Sequence, residues 1–270
     1  MSKPKVALVL STGGARGIAH IGAIEELERQ GYKISSIAGC SMGAMVGAFY
    51  ATGNLSKGKE FLFNLKKRKE ILRLADFAFS KNGLIKGKRI IEELGKIIPN
   101  VNIEDLPIPY TAVATNLSDG TEFVFKKGNL LEAIRASISL PSIFQPLEKD
   151  GMLLIDGGII NPLPLNRVER TEGDLLAGAA VSAFEETGNT GAFSYNRNGI
   201  KNKYNLYSLM MESTTITIQQ LIRCSIEKYK PDIMIQIPNR KYGILQFKKA
   251  PEIFENGVVA TRAALNQFEK

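Results

Sequence analysis

The chain has 270 residues, 44% apolar and 23% charged, with 25 glycines and 11 prolines, the composition of an ordinary folded protein and not of a disordered or fibrous one. Its 35 basic and 27 acidic side chains leave a net charge of +8, and its one histidine, His20, excludes every mechanism that needs two, including HExxH metalloproteases and most histidine-rich metal sites. The two cysteines, Cys40 and Cys224, are far apart and have no Cys/His cluster around them, which argues against both a disulfide scaffold and a zinc centre.

Apolar runs rich in Val, Ile and Ala alternate with longer amphipathic stretches, the βαβ signature of a mostly parallel sheet. Lys5–Leu10 reads as the first strand. Its apolar run goes straight into glycines, so it is a buried strand and not a signal-peptide core. Ile18–Gln30 is predicted as a helix closed by Gly31, Ile34–Ala38 as the second strand, and Gly43 to about Thr52 as the next helix. The stretch 57–98 is expected to form two or three helices outside the sheet.

Strands follow at Tyr110–Thr115 and Glu122–Phe125, a helix at Leu130–Ser139, and strands at Met152–Ile155 and Leu175–Val181. The polar, Gly- and Asn-rich residues 185–204 are expected to be a mobile loop. A long helix at Leu206–Lys228, a strand at Ile233–Ile237 and a closing helix at Pro251–Phe268 complete the chain. A single α/β domain over residues 1–270, carrying 57–98 as a helical insertion or lid, is the expected organisation. No apolar stretch reaches the roughly 20 residues of a membrane-spanning helix, and a cytoplasmic protein is expected.

The positive charge is concentrated. Between Lys57 and Pro99 there are twelve basic and five acidic side chains, with Phe61, Leu62, Phe63, Leu65, Ile71, Leu72 and Leu74 among them near helical spacing. Such a stretch suits peripheral contact with an anionic membrane surface, and equally a solvated lysine-rich helix face. No recognition motif supports nucleic-acid binding.

Three places can carry chemistry. Gly39-Cys40-Ser41-Met42-Gly43 fits G-x-S-x-G between a strand and a helix, the context in which the serine sits on a strained turn with its hydroxyl above the sheet. The following helix directs its positive N-terminal end at the same spot. Thr12-Gly13-Gly14-Ala15-Arg16-Gly17 follows the first strand, and its backbone N–H groups can cradle a phosphate or an oxyanion. The dinucleotide pattern fails here, because Thr12 replaces the first glycine and the second strand ends in Gly39-Cys40-Ser41 where a ribose-binding acid is required. Arg16 is open to two readings, anion binding or structural clamp. Ile155-Asp156-Gly157-Gly158, followed by Asn161-Pro162-Leu163-Pro164, places a carboxylate at a strand end, although Asp-Gly is also a common turn.

The histidine count decides among mechanisms. Hydrolases with a Ser-acid-His order need a histidine after the serine, and none follows Ser41. His20, just after the glycine loop, reads as a packing or supporting residue. A serine activated directly by Asp156 remains. An aspartate of ordinary pKa, about 4, is a weak base at neutral pH, so the pair needs partial desolvation and a strong oxyanion hole, typically contributing on the order of 100–1000-fold.

These residues resemble the patatin-like phospholipase family. The glycine loop with Arg16 and Ala19-His20-Ile21-Gly22 is similar to that family's first motif, Gly39–Gly43 to its nucleophile elbow, and Asp156-Gly157-Gly158 to its Asp-Gly-Gly/Ala motif. Ala112–Leu117 and Arg135-Ala136-Ser137-Ile138-Ser139-Leu140-Pro141, with Phe144 and Pro146, are similar to bacterial members. The likeness is weakest in 55–100 and 185–205. It implies a three-layer α/β/α sandwich, a Ser41–Asp156 dyad, no metal and no cofactor, an oxyanion hole at Gly13, Gly14 and Ala15, and hydrolysis of phospholipid or other acyl-ester lipids. Arg16, Gly17, Gly39, Gly43, Gly157 and Gly158 are the supporting motif positions. Thr12 departs from the family pattern, which usually begins with Gly. A soluble carboxylesterase or thioesterase, and a lipid-binding regulatory protein with little turnover, are the competing readings.

Overall fold

The computed structural model describes residues 3–65, 85–181, 206–238 and 242–270. Among them the strands are β1 (Lys5–Leu10), β2 (Lys33–Cys40), β3 (Tyr110–Asn116), β4 (Thr121–Phe125), β5 (Leu147–Lys149), β6 (Met152–Asp156), β7 (Leu175–Ala180) and β8 (Ile233–Gln236). The α-helices, in chain order, are α1 (Ala19–Arg29), α2 (Met42–Ala51), α3 (Leu55–Asn64), α4 (Lys88–Leu94), α5 (Leu130–Ser137), α6 (Leu206–Tyr229) and α7 (Ala250–Phe268). Short 3-10 turns at Gly14–Ile18 and Gly157–Ile159 follow β1 and β6.

The sheet is mostly parallel. β1 lies between β2 and β7, β3 pairs with β2 and β8 with β7, all parallel, while β4, β5 and β6 are antiparallel additions around β3. Everything in β1 after Lys5 is buried, as a central strand covered on both faces requires, and this is why its sequence is continuously apolar. On one face Leu8, Leu10, Ile37, Ala177 and Ile235 pack in a core with α1, α2, α5 and α7. On the other, Val9, Ala38, Leu176 and Ala180 meet Leu163, Leu165 and Ile222 of α6. The architecture is therefore a three-layer α/β/α arrangement.

β3 sets the position of the site. β4 pairs with it along Ala112–Asn116, β2 along Tyr110–Val113 and β6 along Ala114–Asn116. Because β4 occupies one edge throughout the overlap, β2 and β6 must share the other edge end to end. They run in opposite directions, so their carboxyl-terminal ends meet: Cys40 stands opposite Val113 and Asp156 opposite Ala114.

Most expected elements are present, with ends moved by at most two residues. The predicted first helix begins as a 3-10 turn and becomes α-helical only at Ala19. β5 was not anticipated. Most of α3 and all of α4 fall in the described parts of 57–98, while residues 66–84 and the loop expected at 185–204 lie outside the described residues. No helix among the described residues is long and apolar enough to cross a membrane.

Candidate active site

Ser41 follows β2 directly and precedes α2, with φ 55° and ψ −122°, a left-handed conformation that costs a non-glycine residue about 1–3 kcal/mol. The flanking glycines make the turn sterically possible. A Cβ on Gly39 would lie 2.5 Å from the carbonyl carbon of Gly43, and one on Gly43 would lie 2.3 Å from Leu10 O. The turn is held by a side chain to which sequence reasoning assigned no role: Ser41 N–H donates to Ser137 Oγ (2.8 Å), and the Ser137 hydroxyl donates to Val113 O (2.7 Å).

Asp156, at the end of β6, is 1% exposed. Its Oδ2 accepts the Ser41 hydroxyl at 2.5 Å, and its Oδ1 accepts Gly158 N–H at 2.7 Å. The buried Cys40 thiol lies 3.8 Å from Oδ1. Burial pushes the Asp156 carboxyl up to about 6, against the opposing pull of the Ser41, Gly158 and Cys40 hydrogen bonds, while burial and the adjacent carboxylate raise the Cys40 thiol. Gly157 lets β6 close on β3, since a Cβ there would lie 2.3 Å from Val113 O. Asp156 N–H donates to Ser139 O at 3.0 Å. Ser139 is tied through its hydroxyl to the buried Arg135, whose guanidinium also reaches the carbonyls of Lys86 and Gln145. The motif Arg135–Ser139 thus anchors both the turn and the carboxylate.

The glycine loop lies alongside. Thr12 N–H donates to Pro162 O (2.9 Å) and Ala15 N–H to Ile244 O (2.8 Å), whereas the N–H groups of Gly13 and Gly14 have no partner among the described residues. Ala15, expected as an oxyanion donor beside them, is corrected by this contact: its amide is already engaged. Gly14 has φ +55°, and a Cβ on it would lie 2.4 Å from Ile244 O, so the segment carrying Ile244 can close on the loop only over a glycine. Arg16 Nε donates to Gly13 O (3.3 Å) across the loop, and Gly17 packs against Met42 of α2. His20, fully buried, donates from Nε2 to Ser11 O (2.8 Å), and burial holds its pKa down to about 4. It touches neither Ser41 nor Asp156 through any hydrogen bond given by the described residues.

Ser41 opens into a cavity of about 170 Å³. Its walls come from Met42 and Met45 of α2, from Ile138, Leu140, Ile143 and Phe144 after α5, from Ile244, Leu245 and Phe247, and from Leu65, Ile85 and Ile90. Apart from Ser41, every lining side chain is apolar, which favours an apolar group in the cavity. Among the described residues no group of three His, Cys, Asp or Glu side chains converges as a metal site would require.

Fold and site together define an α/β/α protein with a serine elbow facing a buried aspartate under a glycine loop. Residues 8–168 match the family model described as patatin-like phospholipase, and the chain belongs to that family, a family of lipid acyl hydrolases. An uncharacterized NTE family protein of Mycobacterium tuberculosis is 46% identical over 184 residues, covering 68% of this chain and 51% of that protein. Another from the same organism is 27% identical over 282 residues, covering 96% and 46%. The Neuropathy target esterase sws of Drosophila persimilis is 35% identical over 166 residues, covering 59% and 11%. The chain thus spans about half the length of the mycobacterial relatives. The crystal structure of VipD from Legionella pneumophila shares the fold, with a TM-score of 0.51 at 16% identity over 99% of this chain and 67% of that one.

Proposed function

We propose that this protein is a serine lipid acyl hydrolase of the phospholipase A or lysophospholipase type, working through a Ser41–Asp156 dyad without a cofactor. The observation that carries the reading is the 2.5 Å contact between Ser41 Oγ and Asp156 Oδ2 at the mouth of an apolar cavity. Ser41 Oγ attacks the ester carbonyl and passes its proton to Asp156. The N–H groups of Gly13 and Gly14 take the developing oxyanion, and the leaving alcohol departs with the proton. Water then enters, gives a proton to Asp156 and releases the acyl group as free acid. A carboxyl raised to about 6 is still mostly ionised at neutral pH and is a stronger base than a solvated aspartate.

In the same reading 57–98 is an insertion within one catalytic domain. Leu65, Ile85 and Ile90 border the acyl pocket, and the exposed Lys57, Lys86, Lys88 and Arg89 face an anionic membrane. Lys59 is paired with Glu25 and Lys88 with Glu92. The test is acid release from phospholipids and lysophospholipids in anionic vesicles, at low and high salt. Wild type should release fatty acid and Ser41→Ala should not, with the rate falling as salt rises. Equal release by both proteins would remove Ser41 from the reaction, and salt-independent release would remove the membrane contact.

A further inference from the structure

Ser11 joins β1 to the glycine loop, is fully buried and has every polar group engaged. Its N–H donates to Ala179 O of β7 (3.0 Å), and its C=O accepts the Nε2–H of His20 (2.8 Å). Its hydroxyl accepts the Val181 N–H (3.2 Å) and donates to Thr12 O (3.0 Å). This last bond reaches only the next residue, so it ties no two elements together. What it fixes is the peptide unit between Thr12 and Gly13. A trans peptide is planar and its N–H points away from its C=O, so with Thr12 O turned toward the Ser11 hydroxyl, the Gly13 N–H is turned away from it. Val181, whose N–H orients that hydroxyl, also covers the bare face of Gly13, where a Cβ would lie 2.3 Å from Val181 Cγ2. The next unit is held in the same manner. Gly13 O accepts the Arg16 N–H (3.2 Å) and Nε (3.3 Å), which turns the Gly14 N–H away from Arg16. Gly13 and Gly14 carry the two loop N–H groups without a partner among the described residues, and Gly14 borders the cavity at Ser41. A carbonyl that accepts a hydrogen bond also makes the N–H of its own peptide a stronger donor, because bonds in series polarise one another.

We infer that the Ser11 hydroxyl aims the Gly13 N–H at the oxyanion, making Ser11 a positioning residue that never touches the substrate. The inference rests on the reading of Gly13 and Gly14 as oxyanion donors to an ester attacked by Ser41. The hydroxyl moves no proton. It holds the Thr12–Gly13 unit at one rotation before the ester arrives, so the donor need not reorganise as charge builds on the carbonyl oxygen. Thr12 O has no other donor among the described residues. Without the hydroxyl nothing holds that carbonyl, the unit turns about its two flanking single bonds, and the Gly13 N–H swings with it.

Sulfur in place of the carbonyl oxygen makes the test specific, because sulfur is a weak hydrogen-bond acceptor. A nitrophenyl ester of a medium-chain acid and its thiono counterpart release the same nitrophenol when they acylate Ser41, so the ratio of the two acylation rates reports what the oxyanion donors contribute. Wild type should prefer the oxygen ester. Ser11→Ala removes the hydroxyl with little change of volume. It should lose about tenfold of that preference, less than the loss on removing a donor outright, through the oxygen ester alone. Ser11→Thr returns the hydroxyl and should return the preference, while Ser11→Cys, whose thiol is a weaker donor, should fall between. A Ser11→Ala protein with the wild-type preference would overturn the inference, whether or not its rates fall, since a general packing defect slows both esters alike. Ser11→Thr and Ser11→Cys proteins that both stay at the alanine value would overturn it too. A wild type indifferent to the exchange, or one that forms no acyl-enzyme at Ser41, would overturn the underlying reading and this inference with it.

Discussion

A carboxylate that takes a proton from serine must be ionised when the ester arrives and basic enough to accept the proton, and burial of Asp156 meets both demands at once. Desolvation raises its pKa to about 6, while hydrogen bonds from Ser41, Gly158 and Cys40 keep it from rising further. In the proposed reaction the ionised form is the active one, so kcat/KM is lost as pH falls through the folded pKa. The acid limb of the pH profile should have its midpoint near 6, and Asp156→Asn should lose on the order of 100-fold or more at pH 7.5. A limb near 4, the position of a solvated aspartate, would mean that the carboxylate acts from a wetter site than this one.

At the level of elements, the site is a meeting of two strand ends. β2 and β6 share one edge of β3, and the hydroxyl of Ser137, from the end of α5, joins the Ser41 turn to Val113 of β3. The turn tolerates almost no added bulk. Gly43→Ala puts a methyl group 2.3 Å from Leu10 O, so α2 must move off β1, and urea unfolding should show a loss of about 1–3 kcal/mol. An unchanged midpoint would mean that α2 shifts freely and that the elbow is not held by its packing. The parallel core was legible from sequence because β1 is covered on both faces and its apolar run is unbroken, while β2, though interrupted by Ser35 and Ser36, resumes with Ile37 and Ala38. The G-x-S-x-G and Asp-Gly-Gly patterns were legible because each lies at the end of a short apolar stretch, Ile37–Ala38 in β2 and Met152–Ile155 in β6. β5 was not, since three residues, Leu147–Lys149, are too few to show a period. The antiparallel direction of β6 was hidden too, although it alone brings Asp156 to Ser41. Ser137 gave no signal, as nothing within α5 says that its hydroxyl meets an amide 96 positions earlier. Ala15 looked equivalent to Gly13 and Gly14 until Ile244, from a distant segment, took its N–H.

Across the whole molecule, two buried groups pull stability in opposite directions with pH. His20 is held neutral with a pKa lowered from 6.5 to about 4, so the unfolded chain binds its proton more readily, and the stability tied to this group is lost as pH falls through that window. Asp156 is raised from 3.8 to about 6, so the stability tied to its protonated form is complete below 3.8 and lost as pH rises toward 6. Each displacement is worth roughly 3 kcal/mol, and because they are opposite in sign the two largely cancel between pH 4 and 6.5. Asp156→Asn leaves His20 unopposed. Urea unfolding should therefore show the variant losing roughly 3 kcal/mol between pH 6.5 and pH 4 while wild type changes much less. Parallel profiles for the two proteins would contradict the opposition. Glu26 acts lower on the scale: its pairing with Arg29, together with Gln30 and Arg262, holds it down to about 2, so its contribution fades only as pH falls from about 4.5 toward 2.

The central claim, that Ser41 is a nucleophile activated by Asp156, is tested most directly by intact-mass measurement after treatment with a fluorophosphonate, which modifies activated serines before any substrate is known. Wild type should gain one phosphonyl group mapping to Ser41, Ser41→Ala should gain none, and Asp156→Asn should react far more slowly. Modification that persists in Ser41→Ala, or that proceeds at the wild-type rate in Asp156→Asn, would contradict the account.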